Sequence, residues 1–320
     1  MRTVFHRTLF VLFGWYSNSA FALEGNLNLD LGLAGNSRVH ADSLASLRTM
    51  PSTAPLLPRY QVSASAYLYP NLDYGLAGAA LDSANGVLSL GILYLRESVQ
   101  KGLDSSLLPG WKLPGEEIES LSLQTLTGAS LAVSFLNRSL SLGMGAFYAG
   151  TSSDLDIHTH AFELTFSGGA KFSDQIIVGL SSVDILDQVD GSRIETGVRW
   201  GLLDVSGPIG ARCIDQSDIY YSSGGVELDM GYSLRNGGMD FVGVGGDIPI
   251  TCNFSIHGGI QKRFLDDEMR YGAGLMIENV VNSIGYDVQL RQQGDQWEHV
   301  HLISFQLRLS NAPFAPKPHI

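Results

Sequence analysis

The chain has 320 residues, 44% of them hydrophobic and only 16% charged, with 37 Gly and a net charge of −12. The hydrophobic share excludes a disordered chain, and the acidic balance argues against a nucleic-acid partner, which would need a basic face. Charge this sparse, against about 25% in an ordinary soluble domain, points away from a simple soluble fold.

In chain order, Arg2 and Arg7 flank the start of an apolar run, Leu9 to Phe13, and the small-residue pattern Ala20-Phe21-Ala22 follows. This is the layout of a secretory signal peptide over residues 1–22, cleaved before Leu23. Its apolar run is too short to span a bilayer. No Cys follows the cleavage pattern, which argues against a lipid anchor. No later segment offers an apolar run long enough for a membrane-spanning helix. An exported chain of this kind is either a soluble export or a membrane β-barrel.

Residues 23–58 are irregular. Leu27, Leu29, Leu31 and Leu33 alternate briefly, and Asp42 is placed to cap a short helix carrying Leu44 and Leu47 on one face. Pro51, Pro55 and Pro58 then break regular structure. Backbone of this kind cannot face lipid, where every polar group must be paired. The segment is expected inside a lumen or at its mouth, with Asn36, Arg38, Asp42 and Arg48 as the groups placed to bond to the wall.

From Tyr60 onward the period is two. Val226, Leu228, Met230 and Tyr232 alternate with Gly225, Glu227, Asp229 and Gly231, and Ile284, Tyr286, Val288 and Leu290 alternate with Ser283, Gly285, Asp287 and Gln289. Strand side chains point to opposite faces, so each run has one apolar and one polar face. Turn residues such as Asn137-Arg138 and Arg235-Asn236-Gly237-Gly238 separate about fifteen candidate strands. Several reach the roughly 9–11 residues that a tilted membrane strand needs. Strand length, low charge and the export signal favour an all-β, closed antiparallel transmembrane barrel over residues 59–309. The strand number should be even, so the fifteen candidates hold one false strand or miss one. Tyr60, Tyr94, Tyr148, Trp200, Tyr271, Tyr286 and Trp297 stand near strand ends, as interfacial girdles require. Residues 310–320, with three Pro, read as a non-strand tail.

In a barrel the polar faces line the lumen. They carry Arg193, Glu195, Arg199, Glu227, Asp229, Asp287, Gln289, Gln306 and Arg308. The mixed signs fit an internal ion-pair lattice or a plugged pore equally with plain solvated wall groups. His158 and His160, near Asp154 and Asp156, share a strand face, as do His299 and His301 beside Glu298. Neither pair has a third ligand at fixed spacing, so both read as polar strand residues, and no metal or cofactor is expected. No nucleophile elbow, zinc-helix or phosphate-loop motif occurs, and an enzyme is not expected. Cys213 and Cys252, the two cysteines, leave two alternatives open: one disulfide, or two separate buried thiols.

The order of a Gly-containing lead-in, Ala41-Asp42, a short helix, Pro51-Ser52 and then the first strand resembles the N-terminal hatch of FadL-like outer-membrane proteins. Where those families carry Asn-Pro-Ala, this chain has Met50-Pro51-Ser52, so Pro51 carries over. Tyr271-Gly272-Ala273-Gly274-Leu275, Ile284-Gly285-Tyr286-Asp287 and the last strand, from Glu298 to Phe305, resemble the PorV-like branch. The resemblance covers about half of the chain. It implies a barrel of about fourteen strands with both termini in the periplasm of a Gram-negative cell, residues 23–58 as a hatch, and outer-membrane lipids as neighbours. It leaves two functions open: passing or holding a fatty-acid-like molecule, or anchoring exported proteins without transport.

Overall fold

The computed structural model describes residues 44–56, 60–68, 74–83, 87–104, 117–153, 158–172, 176–187, 192–201, 213–214, 219–220, 224–251, 254–265, 267–278, 282–293 and 296–308. The chain opens there with a short helix, α1 (Leu44–Thr49), and a 3-10 turn (Pro51–Leu56). The first strands are β1 (Tyr60–Leu68), β2 (Tyr74–Asp82), β3 (Leu88–Asp104), β4 (Glu117–Phe135), β5 (Leu140–Ser153), β6 (His158–Lys171), β7 (Ile176–Val183) and β8 (Arg193–Gly201). A two-stranded hairpin, β9 (Cys213–Ile214) and β10 (Ile219–Tyr220), comes next. The remaining strands are β11 (Gly225–Ser233), β12 (Gly238–Thr251), β13 (Phe254–Arg263), β14 (Glu268–Glu278), β15 (Asn282–Gln293) and β16 (Gln296–Arg308).

Fourteen of these strands form one closed antiparallel barrel, each hydrogen-bonded to its neighbours in the chain, with β8 followed by β11. The barrel closes where β1 meets β16, in register from Gln61 opposite Arg308 to Leu68 opposite His301. Closure removes the unpaired edges that an open sheet would leave. Among the described residues the hairpin of β9 and β10 is the one pair outside the barrel sheet.

The alternation has its apolar side outward. On β1, Gln61, Ser63 and Ser65 are buried while Val62 and Leu68 are exposed. On β11, Glu227 and Asp229 are buried, Val226 and Tyr232 are exposed, and Leu228 and Met230 share the outer face with them. Leu142, Ile277, Phe162 and Ile92 are each more than half exposed on the outer wall, at 61%, 59%, 56% and 55%. An apolar outer belt around a polar inner wall is the arrangement of a transmembrane β-barrel.

Two local features position inner-wall groups. In the turn between β11 and β12, Gly237 takes φ 63°, a left-handed conformation that glycine adopts without cost, and its N–H donates to the Ser233 carbonyl at 3.0 Å. Just beyond it, the β11–β12 register shifts between Gly231, opposite Phe241, and Tyr232, opposite Met239. The extra residue of this bulge is Asp240, which is buried. Hereafter the near end is the one at which β1 begins and β16 finishes, and the far end is the opposite one.

Candidate functional site: a two-sided lumen with an inner segment

The inner wall has two chemical halves. From β16 through β1 to β5 it carries an apolar patch beside polar groups such as Gln61, Ser63, Ser130 and Ser141: Tyr67, Leu93, Leu95, Leu126, Phe147 and Leu302 belong to one buried cluster. From β8 through β11 to β15 it is charged. Glu195 accepts from Arg193 Nε at 2.6 Å, and Arg199 Nη2 donates to Asp247 at 2.7 Å with Glu227 at 3.8 Å. His257 pairs with Asp287, and Arg270 donates to Glu268 through Nε and Nη2, both at 2.8 Å. Arg291 Nε donates to Gln289 at 2.7 Å. Groups buried to this degree cannot be hydrated, so each charge needs a partner to remain ionised.

Against the wall lies the inner segment of α1 and the 3-10 turn, which contacts β3 through β7. The residues it touches alternate with exposed ones, which places it on the inside of the barrel. Leu47 and Ala54 join the apolar cluster, while Met50 and Leu56 form a second one with Ile177. Arg48, in the last turn of α1, reaches Glu163 near the middle of β6. Its Nε donates to Oε1 at 2.9 Å and to Oε2 at 3.0 Å, and its Nη2 also donates to Oε2. The two side chains are 5% and 0% exposed. Ser52 N–H donates to Ser167 Oγ at 3.0 Å, and Ser141 Oγ donates to the Ser52 carbonyl at 2.6 Å.

Glycines on the inner face make room for this segment. A Cβ on Gly143 would stand 2.6 Å from the Ser52 backbone nitrogen and 2.9 Å from the Pro51 carbonyl carbon. A Cβ on Gly179 would stand 1.9 Å from Met50 Sδ, and one on Gly91 would stand 2.9 Å from Leu47 Cδ2. Pro51 opens the 3-10 turn, and its fixed φ suits that position.

Of the residues singled out from sequence, the structure thus brings Arg48 and Pro51 to the inner segment and Glu195, Arg199, Glu227, Asp229 and Asp287 to the charged wall. Arg199 and Glu227 face each other across β8 and β11 at 3.8 Å, and the five are spread over β8, β11 and β15. Arg308 ends β16 opposite Gln61 in the closing seam. Asn36, Arg38, Asp42 and Cys252 lie outside the described residues, and Cys213 stands in the β9–β10 hairpin, apart from the barrel sheet. Glu163 was not singled out. Its signal was available: the single acid on the inward face of β6.

Of the paired histidines, His160, His299 and His301 belong to the outer wall. His160 bonds to the Tyr148 hydroxyl, and His301 Nδ1 lies 2.8 Å from the Tyr286 hydroxyl, with His299 edge-on to His301. Tyr271 stacks on Trp297 at 6.0 Å nearby. Amphipathic rings of this kind on the outer wall suit an interfacial belt.

No protein-family model and no curated protein sequence matches the chain. Solved structures do. The Ralstonia pickettii toluene transporter TbuX superposes with a TM-score of 0.56 at 10% identity, over 90% of this chain and 99% of that one. A Pseudomonas aeruginosa FadL homologue superposes with a TM-score of 0.59 at 10% identity, over 88% and 97%. The class is therefore a transmembrane β-barrel, and within it the fold is similar to that of these two structures.

Proposed function

We infer that this chain resides in the outer membrane of a Gram-negative bacterium and passes or holds a hydrophobic small molecule, with the inner segment as its gate. The observation that carries this reading is the shared cluster: Leu47 and Ala54 of the segment pack on the same apolar wall that a hydrophobic cargo would follow. Cargo and segment then compete for one surface. Burying a cargo chain there returns roughly 25 cal/mol per Å² of apolar surface, which offsets the contacts the segment gives up. A fatty-acid-like chain and a small aromatic hydrocarbon both suit such a wall; one of the structural neighbours is described as a toluene transporter.

Uptake of labelled fatty acid and of labelled toluene into proteoliposomes tests the reading. Protein-dependent uptake of either supports it, and rates equal to those of empty liposomes for both would overturn it. A second reading, a non-transporting barrel that anchors exported proteins, draws on the full burial of Glu195, Glu227 and Asp229, which leaves those wall positions no contact with open water. Co-purification of exported proteins, together with absent uptake, would favour it.

A further inference from the structure

At the far end of the charged wall, a cavity of about 360 Å³ lies beneath the turn between β11 and β12. Three guanidinium groups line it, Arg193, Arg235 and Arg263, together with the neutral donors Ser233 and Asn236 and a single carboxylate, Asp240. We propose that this cavity binds the anionic oxygens of a carboxylate or phosphate group.

The charges around the cavity carry the assignment. Asp240 is engaged with Arg263 Nη2 at 3.5 Å, and Arg193 is engaged with Glu195 at 2.6 Å. Arg235 forms no ion pair among the described residues, and it is exposed on the turn that overhangs the cavity. One guanidinium fork is thus uncommitted, and two more are held in place by their acids. A fork of this kind matches the two oxygens of a carboxylate or phosphate. Ser233 Oγ already accepts from Asn236 N–H at 3.1 Å, which leaves its hydroxyl proton free to donate into the cavity.

The surroundings add to the excess. Along the same inner face Arg270 and Arg291 are direct cross-strand partners, both buried. Like charges opposite each other destabilise a sheet, and Glu268 bonds to Arg270 beside them. A positive pocket in a chain of net charge −12 concentrates anions at one place on an otherwise repelling molecule. The cavity is larger than one oxyanion group, so it has space for part of the molecule that the group heads.

Two sources share this chemistry: the carboxylate head of an amphiphilic cargo, and the phosphate of a membrane lipid. Calorimetric titration of the full detergent-solubilised chain separates them, with decanoate, decanol and inorganic phosphate as probes, on the native protein and on Arg235→Ala and Arg235→Lys. The expected result is that at least one anion binds and that Arg235→Ala weakens it by about ten- to hundredfold. Arg235→Lys should retain part of the affinity, and decanol should be insensitive to both substitutions. Decanoate as the responding anion assigns the site to cargo, and phosphate alone assigns it to lipid. Unchanged anion affinity in Arg235→Ala, or decanol binding as tightly as decanoate, overturns the proposal. Arg235 is exposed on a turn, so its loss leaves folding intact, which heat-modifiable gel mobility checks. Toluene uptake by the same variants keeps this proposal separate from the transport reading, because a neutral cargo does not need the guanidinium.

Discussion

Replacing Glu163 with Ala should release the inner segment. The substitution leaves the Arg48 guanidinium at a buried position without the carboxylate that its Nε now reaches at 2.9 and 3.0 Å. With the pair 5% and 0% exposed, removing one partner costs about 3–5 kcal/mol, because the remaining charge stays desolvated. At about 1.4 kcal/mol per tenfold, the docking equilibrium shifts by roughly two to three and a half orders of magnitude. Two Ser52 hydrogen bonds, worth about 1 kcal/mol each, and the burial of Leu47, Met50 and Leu56, about 1.5–3 kcal/mol each, still hold the segment. The variant should therefore open more often without staying open. Hydrogen exchange of residues 46–56 should quicken by at least about a hundredfold, and single-channel recordings in planar bilayers should show larger or more frequent openings. The double variant Arg48→Met/Glu163→Leu replaces the ion pair with apolar groups, a change that is often neutral or stabilising, so it should restore protection. Exchange unchanged in Glu163→Ala, or a double variant as unprotected as the single one, would refute the reasoning.

Three further outcomes follow from the same geometry. Gly143→Val should displace the 3-10 turn, because its Cβ meets the backbone of Pro51 and Ser52; Gly179→Ala meets the flexible Met50 thioether and should disturb it less, as exchange of residues 46–56 would show. Met230→Arg puts a charge on the outer wall in the middle of β11 and should cost about 2–4 kcal/mol in folding into lipid, read from urea titration in vesicles. Arg199→Met removes the guanidinium that both Asp247 and Glu227 face, so it should cost about 3–5 kcal/mol, more than Asp247→Asn, by the same titration.

The barrel was legible because its forces are local to each strand. Glu227 and Asp229 between Val226, Leu228 and Met230 identify one inward and one outward face wherever β11 sits in the molecule. The alternation also bounded the strand count, at about fifteen against the fourteen of the barrel. Pairing across the lumen was not legible. Arg48 and Glu163 are 115 residues apart, and nothing near either of them names the other. The glycine seats were half visible: Leu142 and Met144 mark the outer face of β5, so Gly143 and Gly145 fall inward, but what occupies the space depends on a segment with no periodicity of its own. The division of the lumen into apolar and charged halves emerges only when β16 closes on β1 and brings Leu302 onto the same wall as Tyr67 and Leu93.

The central claim is that the inner segment gates an apolar path, and a covalent latch tests it most directly. A Cβ on Gly169 would stand 3.3 Å from Ser52 Oγ, close to the spacing that a disulfide needs. In a chain with Cys213 and Cys252 replaced by Ser, the pair Ser52→Cys/Gly169→Cys should fasten the segment to β6 on oxidation. Proteoliposome uptake of a labelled hydrophobic cargo should then be low when the latch is oxidised and recover on reduction. Equal uptake in the oxidised and reduced states would show that the cargo path does not pass this segment.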